Sequence, residues 1–286
     1  MMYYRIQYNE KRRDRFAGAG LGPDKMPLGR ATHDMGDLQC FLDAPNVAWQ
    51  QRGIQLTYSV RLNGRVYDFL CNPFPFGKNH VTVASSQHES QELGTDAERF
   101  RRVFADIYEL AQRLPTYVIM FNGVGAGASI PGHLHFHAFQ QIPGQPPYPL
   151  QYAAAQAEEL SDKTSYLHIG DDLYPLTAFR LHGTPDAIIP HLVTLAHKWR
   201  LLAGAAATEN VIALTERGHL SVYYIPRDRF IRARGFPTAV GGLECFGEFI
   251  FSSESDKRAI DEQRVNFTYL EQILRSIHPF KARELA

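Results

Sequence analysis

Three cysteines in 286 residues, Cys40, Cys71 and Cys245, are too few and too scattered for a disulfide framework. They read as free thiols of a reducing compartment, with Cys40 also a candidate metal ligand. No apolar run approaches the ~20 residues of a membrane-spanning helix. The opening MMYYRIQYNEKRRDRF is polar where a secretory signal has its hydrophobic stretch. The expected address is therefore cytoplasmic, with no membrane partner. Charge of either sign is not in excess, since 30 Lys plus Arg balance 30 Asp plus Glu. No global positive field draws the chain onto nucleic acid, and any phosphate recognition must be local. What is abundant is apolar material, 44% of residues, with 12% aromatic. That supplies one large or two small cores and excludes disorder.

Hydrophobic spacing predicts three helices. From Thr95 to Leu114, Phe100, Val103, Phe104, Ile107, Leu110, Ala111 and Leu114 recur at steps of three and four. Thr95 and Glu98 have capping-box spacing, and Pro115 closes the run. Between Pro185 and Leu202 the stripe is Ile188, Leu192, Leu195, Ala196, Trp199 and Leu202, opened by Thr184-Pro185 and closed by Gly204. A third helix is expected over roughly 256–277, on Ile260, Tyr269, Ile273, Leu274 and Ile277. Strand-like runs fall at 54–62, 66–72, 81–84, 117–122, 211–215 and 219–225, with Asn63-Gly64 as a hairpin turn. The Pro- and Gln-rich stretch 141–150 reads as a connector.

The two sides of that connector are alike. Helix, strand, strand occurs at 95–114, 117–122 and 133–140, and again at 185–203, 210–216 and 219–226. Aligning the last strands sets His133-Leu134-His135-Phe136-His137 against His219-Leu220-Ser221-Val222-Tyr223. Ser221 then stands for His135 and Tyr223 for His137. The expected layout is a catalytic half at 40–145, a connector at 146–175 and a degenerate second half at 176–286.

Chemistry concentrates in Asn122 to His137. Residues two apart on a strand share a face, so His133, His135 and His137 form a row ~7 Å apart, with Leu134 and Phe136 turned to the core. Before them, glycines at 123, 125, 127 and 132 allow backbone N–H groups close to an anion, and Ser129 adds a hydroxyl. A phosphate beside a row of imidazoles suggests attack by a ring nitrogen on phosphorus. A metal cage, with imidazoles as zinc ligands, and an inert strand are the competing readings.

The segment His133 to Phe139, HLHFHAF, resembles the histidine-triad motif at every position. With Asn122 and the Gly125-Ala126-Gly127-Ala128-Ser129 loop, it is more similar to the branch of that superfamily containing galactose-1-phosphate uridylyltransferase, diadenosine tetraphosphate phosphorylase and GDP-L-galactose phosphorylase. Asn72-Pro73-Phe74-Pro75-Phe76 with His80, Gln87-His88, and Tyr224-Ile225-Pro226-Arg227 are further points of similarity. The resemblance covers most of residues 40–280. It implies an α+β fold in one domain over 1–286, an antiparallel sheet built by two related halves with packed helices, as a monomer or a homodimer.

By the same resemblance, His135 is the nucleophile on the α-phosphorus of a nucleotide, and His133 orients it. Ser129 with Gly125, Gly127 and Ala128 binds phosphate oxygens, Asn122 assists there, and Asn72 faces the nucleotide. Phe74 and Phe76 line a base pocket or simply pack in the core. Arg227, Arg229 and Lys78 fit exposed positions better than phosphate contacts. In the transferase branch the third position of the triad is usually Gln; here it is His137, as in the hydrolytic branch. The implied substrate is a nucleotide or nucleotide sugar, and the implied activity is nucleotidyl transfer or phosphorolysis on a nucleoside diphosphate sugar or dinucleoside polyphosphate. Hydrolysis of the nucleotide and non-catalytic nucleotide binding are the alternatives. The chemistry needs no cofactor. The relatives' structural metal site corresponds to Cys40, Asp43, His88 and His133, where Asp43 replaces a cysteine, so zinc or iron is either retained or lost.

Overall fold

The computed structural model describes residues 2–12, 42, 56–72, 74–160, 165–236 and 239–285. The chain forms β1 (Arg5–Tyr8), β2 (Leu56–Leu62), β3 (Arg65–Cys71), β4 (Lys78–Ser85), α1 (Ala97–Arg113), β5 (Tyr117–Asn122), β6 (His135–Gln140), α2 (Pro149–Glu159) and β7 (Tyr166–Ile169). Then follow β8 (Ala178–His182), α3 (Pro185–Ala203), β9 (Ala207–Glu216), β10 (His219–Asp228), α4 (Gly242–Cys245), β11 (Glu248–Phe251), α5 (Glu254–Asp261) and α6 (Phe267–Ser276). Nine strands make one sheet in the order β2-β3-β4-β6-β5-β9-β10-β8-β7, antiparallel throughout. Strands β1 and β11 pair in parallel as a separate ribbon. The architecture is α+β, as expected.

Both faces of the sheet are buried, and the period of two along β6 assigns its side chains. Phe136 and Ala138 join the core under α1 and α3, with Phe104, Ile107, Leu192 and Trp199. Phe139 enters the opposite core with Met120, Tyr223, Leu150 of α2 and Ile273 of α6. His135 and His137 therefore sit on the Phe139 side.

Local sequence explains most element ends. Asp96, rather than Thr95, caps α1, its carboxylate accepting the Glu98 N–H at 3.0 Å, where a negative charge also complements the helix dipole. Asn63 and Gly64 both take positive φ, +44° and +85°, the geometry of a type I′ hairpin turn. The tail departs from expectation: α5 and α6 replace one long helix. Between Ile260 and Tyr269 the apolar stripe lapses, Gln263 adopts φ +56°, and Asn266 starts α6 by accepting the Tyr269 N–H at 3.1 Å. The segment 146–175 also holds more than a connector, because Pro149 opens α2 as a first-turn proline and β7 forms the sheet edge. No helix among the described residues is long and apolar enough to cross a membrane.

Candidate active site

A cleft of about 930 Å³ opens on the face of the sheet that carries His135 and His137. Its walls come from β6, from the Asn72–Phe76 turn, from the glycine-rich loop after β5, and from residues 241–244 at α4. His135 is 2% exposed and lines it. Its Nδ1 is 2.7 Å from the carbonyl oxygen of His133, which can only accept, so Nδ1 carries the proton and Nε2 is the lone-pair nitrogen. Burial pushes the His135 pKa down to about 4; the Nδ1 hydrogen bond to the His133 carbonyl opposes this in part, and charge on the His133 ring adds to it. At neutral pH the ring is an uncharged imidazole with a basic nitrogen at the cleft.

The strand bearing that ring is held by a residue the sequence did not single out. Gln91 is fully buried; its Oε1 accepts the His135 N–H at 2.8 Å, and its Nε2 donates to the carbonyls of Asn122 at 2.8 Å and of His135 at 3.1 Å. Gln91 thus ties the backbone of His135 to the end of β5. No sequence pattern marks it, because it lies in an irregular segment and only its neighbours in space make it a bridge.

His137 lines the cleft beside His135, the two rings 5.3 Å apart and nearly perpendicular. Its Nδ1 lies 3.1 Å from Nε2 of His80, a buried residue of β4 whose Nδ1 accepts the Phe76 N–H at 3.3 Å. The Phe76 ring packs on His80 at 3.9 Å between centroids, and the Arg12 guanidinium stands 5.0 Å over Phe76. Phe74 and Phe76 both line the cleft.

Asn122 has its Oδ1 saturated, accepting Nδ2–H of Asn210 at 2.9 Å and the Gly242 N–H at 2.8 Å. This fixes the amide and leaves Nδ2 as the donor at the cleft wall. Asn210 is itself held by Arg227, whose Nη1 donates to Asn210 Oδ1 at 2.6 Å and to the Val240 carbonyl at 3.2 Å. Arg227 is therefore no exposed strand end; it is 2% exposed, behind the site, where β10 pairs with β9. Cys245 touches the same guanidinium at 2.9 Å, yet burial pushes its thiol up to about 11 and keeps it protonated.

The glycine loop is needed for close packing. A Cβ at Gly123 would lie 2.2 Å from Thr208 Oγ1, and one at Gly127, where φ is +100°, would lie 2.4 Å from Gly241 Cα. Gly127 and Ser129 line the cleft, but Gly125 and Ala128 do not. Gly125 instead packs against Arg229, and the Ala128 N–H turns back to the Gly123 carbonyl at 3.4 Å. Of the loop residues expected to bind phosphate, these two therefore lie off the cleft in this structure. Asn72 also lines the cleft, but its amide is engaged in holding the turn: Oδ1 accepts the Phe74 N–H at 2.9 Å and Nδ2 donates to Thr82 Oγ1 at 3.0 Å.

His133 is fully buried and lies outside the cleft. It precedes β6 and donates from Nε2 to the Ser85 carbonyl at 2.7 Å, while its ring faces His88 edge-on at 5.0 Å. Cys40 and Asp43, the other two members of the expected metal set, lie outside the described residues. Among the described residues no group of three or more His, Cys, Asp or Glu is arranged to hold a metal ion.

Residues 22–140 match the model of a family described as a domain of unknown function, DUF4922. No curated protein matches the sequence. Among solved structures, yeast Ap4A phosphorylase Apa2 is similar at 15% identity over 76% of this chain and 72% of that one, with a TM-score of 0.54. The same enzyme in complex with AMP gives 0.55 at 15% identity over 77% and 74% of the two chains, and in complex with Ap4A 0.53 at 16% over 76% and 74%. The chain thus shares the α+β fold of yeast Ap4A phosphorylase Apa2.

Proposed function

We propose that this chain is an enzyme of nucleotidyl transfer, acting at the α-phosphate of a nucleoside diphosphate sugar or a dinucleoside polyphosphate. The observation that carries this is the state of His135, a neutral ring at the cleft with Nδ1–H anchored on the His133 carbonyl and Nε2 left basic. Its fold is shared with a phosphorylase solved with AMP and with Ap4A, which supports a nucleotide substrate.

In the first step the Nε2 lone pair forms a bond to the α-phosphorus, and the bond to the bridging oxygen breaks, its electron pair leaving with the departing phosphate group. The imidazole becomes cationic, and the His133 carbonyl stabilises it through Nδ1–H. In the second step an acceptor oxygen attacks phosphorus and the N–P pair returns to Nε2. Asn122 Nδ2, the Ser129 hydroxyl and the backbone around Gly127 are the donors for the phosphate oxygens, preorganised by the Asn210 and Gly241–Gly242 contacts. His88 and His133, with Cys40 and Asp43, are the residues that would hold a structural zinc or iron; the His133 Nε2–H bond to a backbone carbonyl suits such a ligand, and elemental analysis of the purified protein tests it.

The same reading treats the chain as two related halves, 40–145 and 176–286. Setting His137 on Tyr223 carries its sheet partner Met120 onto Ile212, and these two pair directly across β5 and β9, where a pseudo-two-fold axis would pass. At the related positions Ser221 and Tyr223 are buried, with the Tyr223 hydroxyl on Glu216 at 3.0 Å, which supports one equipped site.

The test is intact-protein mass spectrometry after brief incubation with panels of nucleoside diphosphate sugars and dinucleoside polyphosphates, with and without inorganic phosphate. An acid-labile nucleotidyl adduct on the wild type, lost in His135→Ala, is expected. A nucleoside diphosphate formed only with phosphate identifies phosphorolysis, and a monophosphate formed without it identifies hydrolysis. Neither adduct nor turnover with any panel member would overturn the reading.

A further inference from the structure

Arg227 sets a positive charge into the protein behind the cleft. The residue is 2% exposed, and the partners of its guanidinium are all neutral: Nη1 donates to Asn210 Oδ1 at 2.6 Å and to the Val240 carbonyl at 3.2 Å, and lies 2.9 Å from the sulfur of the Cys245 thiol. Its Nε–H is buried and has no acceptor among the described residues. Buried charges are ordinarily matched by opposite ones, as Arg180 is by Glu158 and Glu209 by Arg200. Among the described residues no carboxylate pairs with Arg227, and the carboxylate of Glu244, next to Cys245, accepts the Gly241 N–H at 2.9 Å.

The charge has a route to the cleft. Nη1 polarises the Asn210 amide, whose Nδ2 donates to Asn122 Oδ1 at 2.9 Å and to the Ala126 carbonyl at 2.7 Å. Asn122 lines the cleft with His135, Gly127 and Ser129. A hydrogen-bonded chain headed by a cation strengthens each donor along it, ending at Asn122 Nδ2. Val240 and Cys245 hold the same guanidinium to the two ends of the turn whose Gly241 and Gly242 form another wall of the cleft.

We infer that Arg227 is a positioning residue whose counterion is the ligand itself, an anionic phosphate in the cleft that feels the charge through Asn210 and Asn122 rather than by contact. The inference deepens the nucleotidyl-transfer reading and rests on it for the phosphate being that of a nucleotide. At roughly 10 Å and an effective dielectric of about 20, one positive charge changes the affinity for a monoanion about tenfold, and for a dianion by about the square of that.

Arg227→Lys keeps the charge, and Arg227→Met keeps the length without it, so the ratio of their dissociation constants reads the charge apart from packing. Arg227→Gln replaces the Met variant if that does not fold. By calorimetry at pH 7.5 and low salt, AMP, close to a dianion, should bind about 100-fold more weakly to Arg227→Met than to Arg227→Lys. Its singly charged methyl phosphodiester should show a ratio of only about tenfold. Inorganic pyrophosphate, which has no base, should be discriminated at least as strongly as AMP. Equal binding of AMP to the two variants, or the same ratio for AMP and its ester, would overturn the inference and leave Arg227 a packing residue. Charge-dependent binding of pyrophosphate without binding of any nucleotide would support the inference and remove the nucleotide reading; nucleotide binding without charge dependence would do the reverse. A wild type that binds neither anion would overturn both.

Discussion

The buried state of His135 makes the stability of the protein depend on pH in a way that one substitution should remove. The folded pKa, about 4, lies below the unfolded value of about 6.5. Above pH 6.5 the ring is neutral in both states and contributes no pH dependence. As the pH falls below 6.5 the unfolded chain takes up a proton that the folded chain refuses, so stability is lost, and the loss saturates near pH 4. Linkage with these two values gives a loss of about 1 kcal/mol at pH 5.5 and about 2–3 kcal/mol at pH 4.5. His135→Asn abolishes the titration while its amide can still donate to the His133 carbonyl. Urea denaturation of both proteins at pH 7.5, 6.5, 5.5 and 4.5 isolates the effect, because the half-buried histidines His168 and His278, whose partial burial also lowers their pKa values, are common to both. The wild type should lose about 2–3 kcal/mol relative to the variant between pH 7.5 and 4.5. Stability curves that run parallel would refute the claim that His135 is folded in its neutral form against a desolvating wall.

Three further substitutions probe the support of the site. Gln91→Leu leaves the His135 N–H and the carbonyls of Asn122 and His135 short of a partner; a loss of about 2–3 kcal/mol in chemical denaturation is expected, and a loss below half that would show that Gln91 is no bridge. Gly127→Ala forces a Cβ to 2.4 Å from Gly241 Cα at φ +100°, so nucleotide affinity by calorimetry should drop at least tenfold, whereas unchanged affinity would remove the loop from the binding surface. Glu209 is 1% exposed and pairs with Arg200, whose Nη2 donates to it at 3.0 Å. Glu209→Ala strands that guanidinium and should cost about 3–5 kcal/mol in the same unfolding assay, while a cost under ~1 kcal/mol would show the pair to be solvated.

Some of this molecule was legible one residue at a time. The stripes of α1 and α3, the Asn63-Gly64 turn and the period-two alternation of β6 are local, because backbone sterics and side-chain periodicity act over a few residues. Those rules, with the resemblance they accompany, set His135 and His137 on one face beside a glycine loop. Where local signals conflict or lapse, packing decided: Asp96 over Thr95 as the cap, a break in the tail at Gln263, and a helix opened by Pro149 in a stretch rich in proline.

The chemistry of the site was mostly decided in three dimensions. Nothing in the sequence brings Gln91 to the backbone of His135, Arg227 to Asn210 and thence to Asn122, or His80 to His137. These are contacts between β-strands and loops 44, 17, 88 and 57 residues apart, made only when the sheet closes in its observed order. The sequence determined which side chains can act as nucleophile, donor and anion-binding loop, because those properties belong to residue types. Only the tertiary structure decided which nitrogen of His135 carries the proton, which glycines line the cleft and which merely let strands approach. Those outcomes depend on what each buried polar atom meets once water has been excluded.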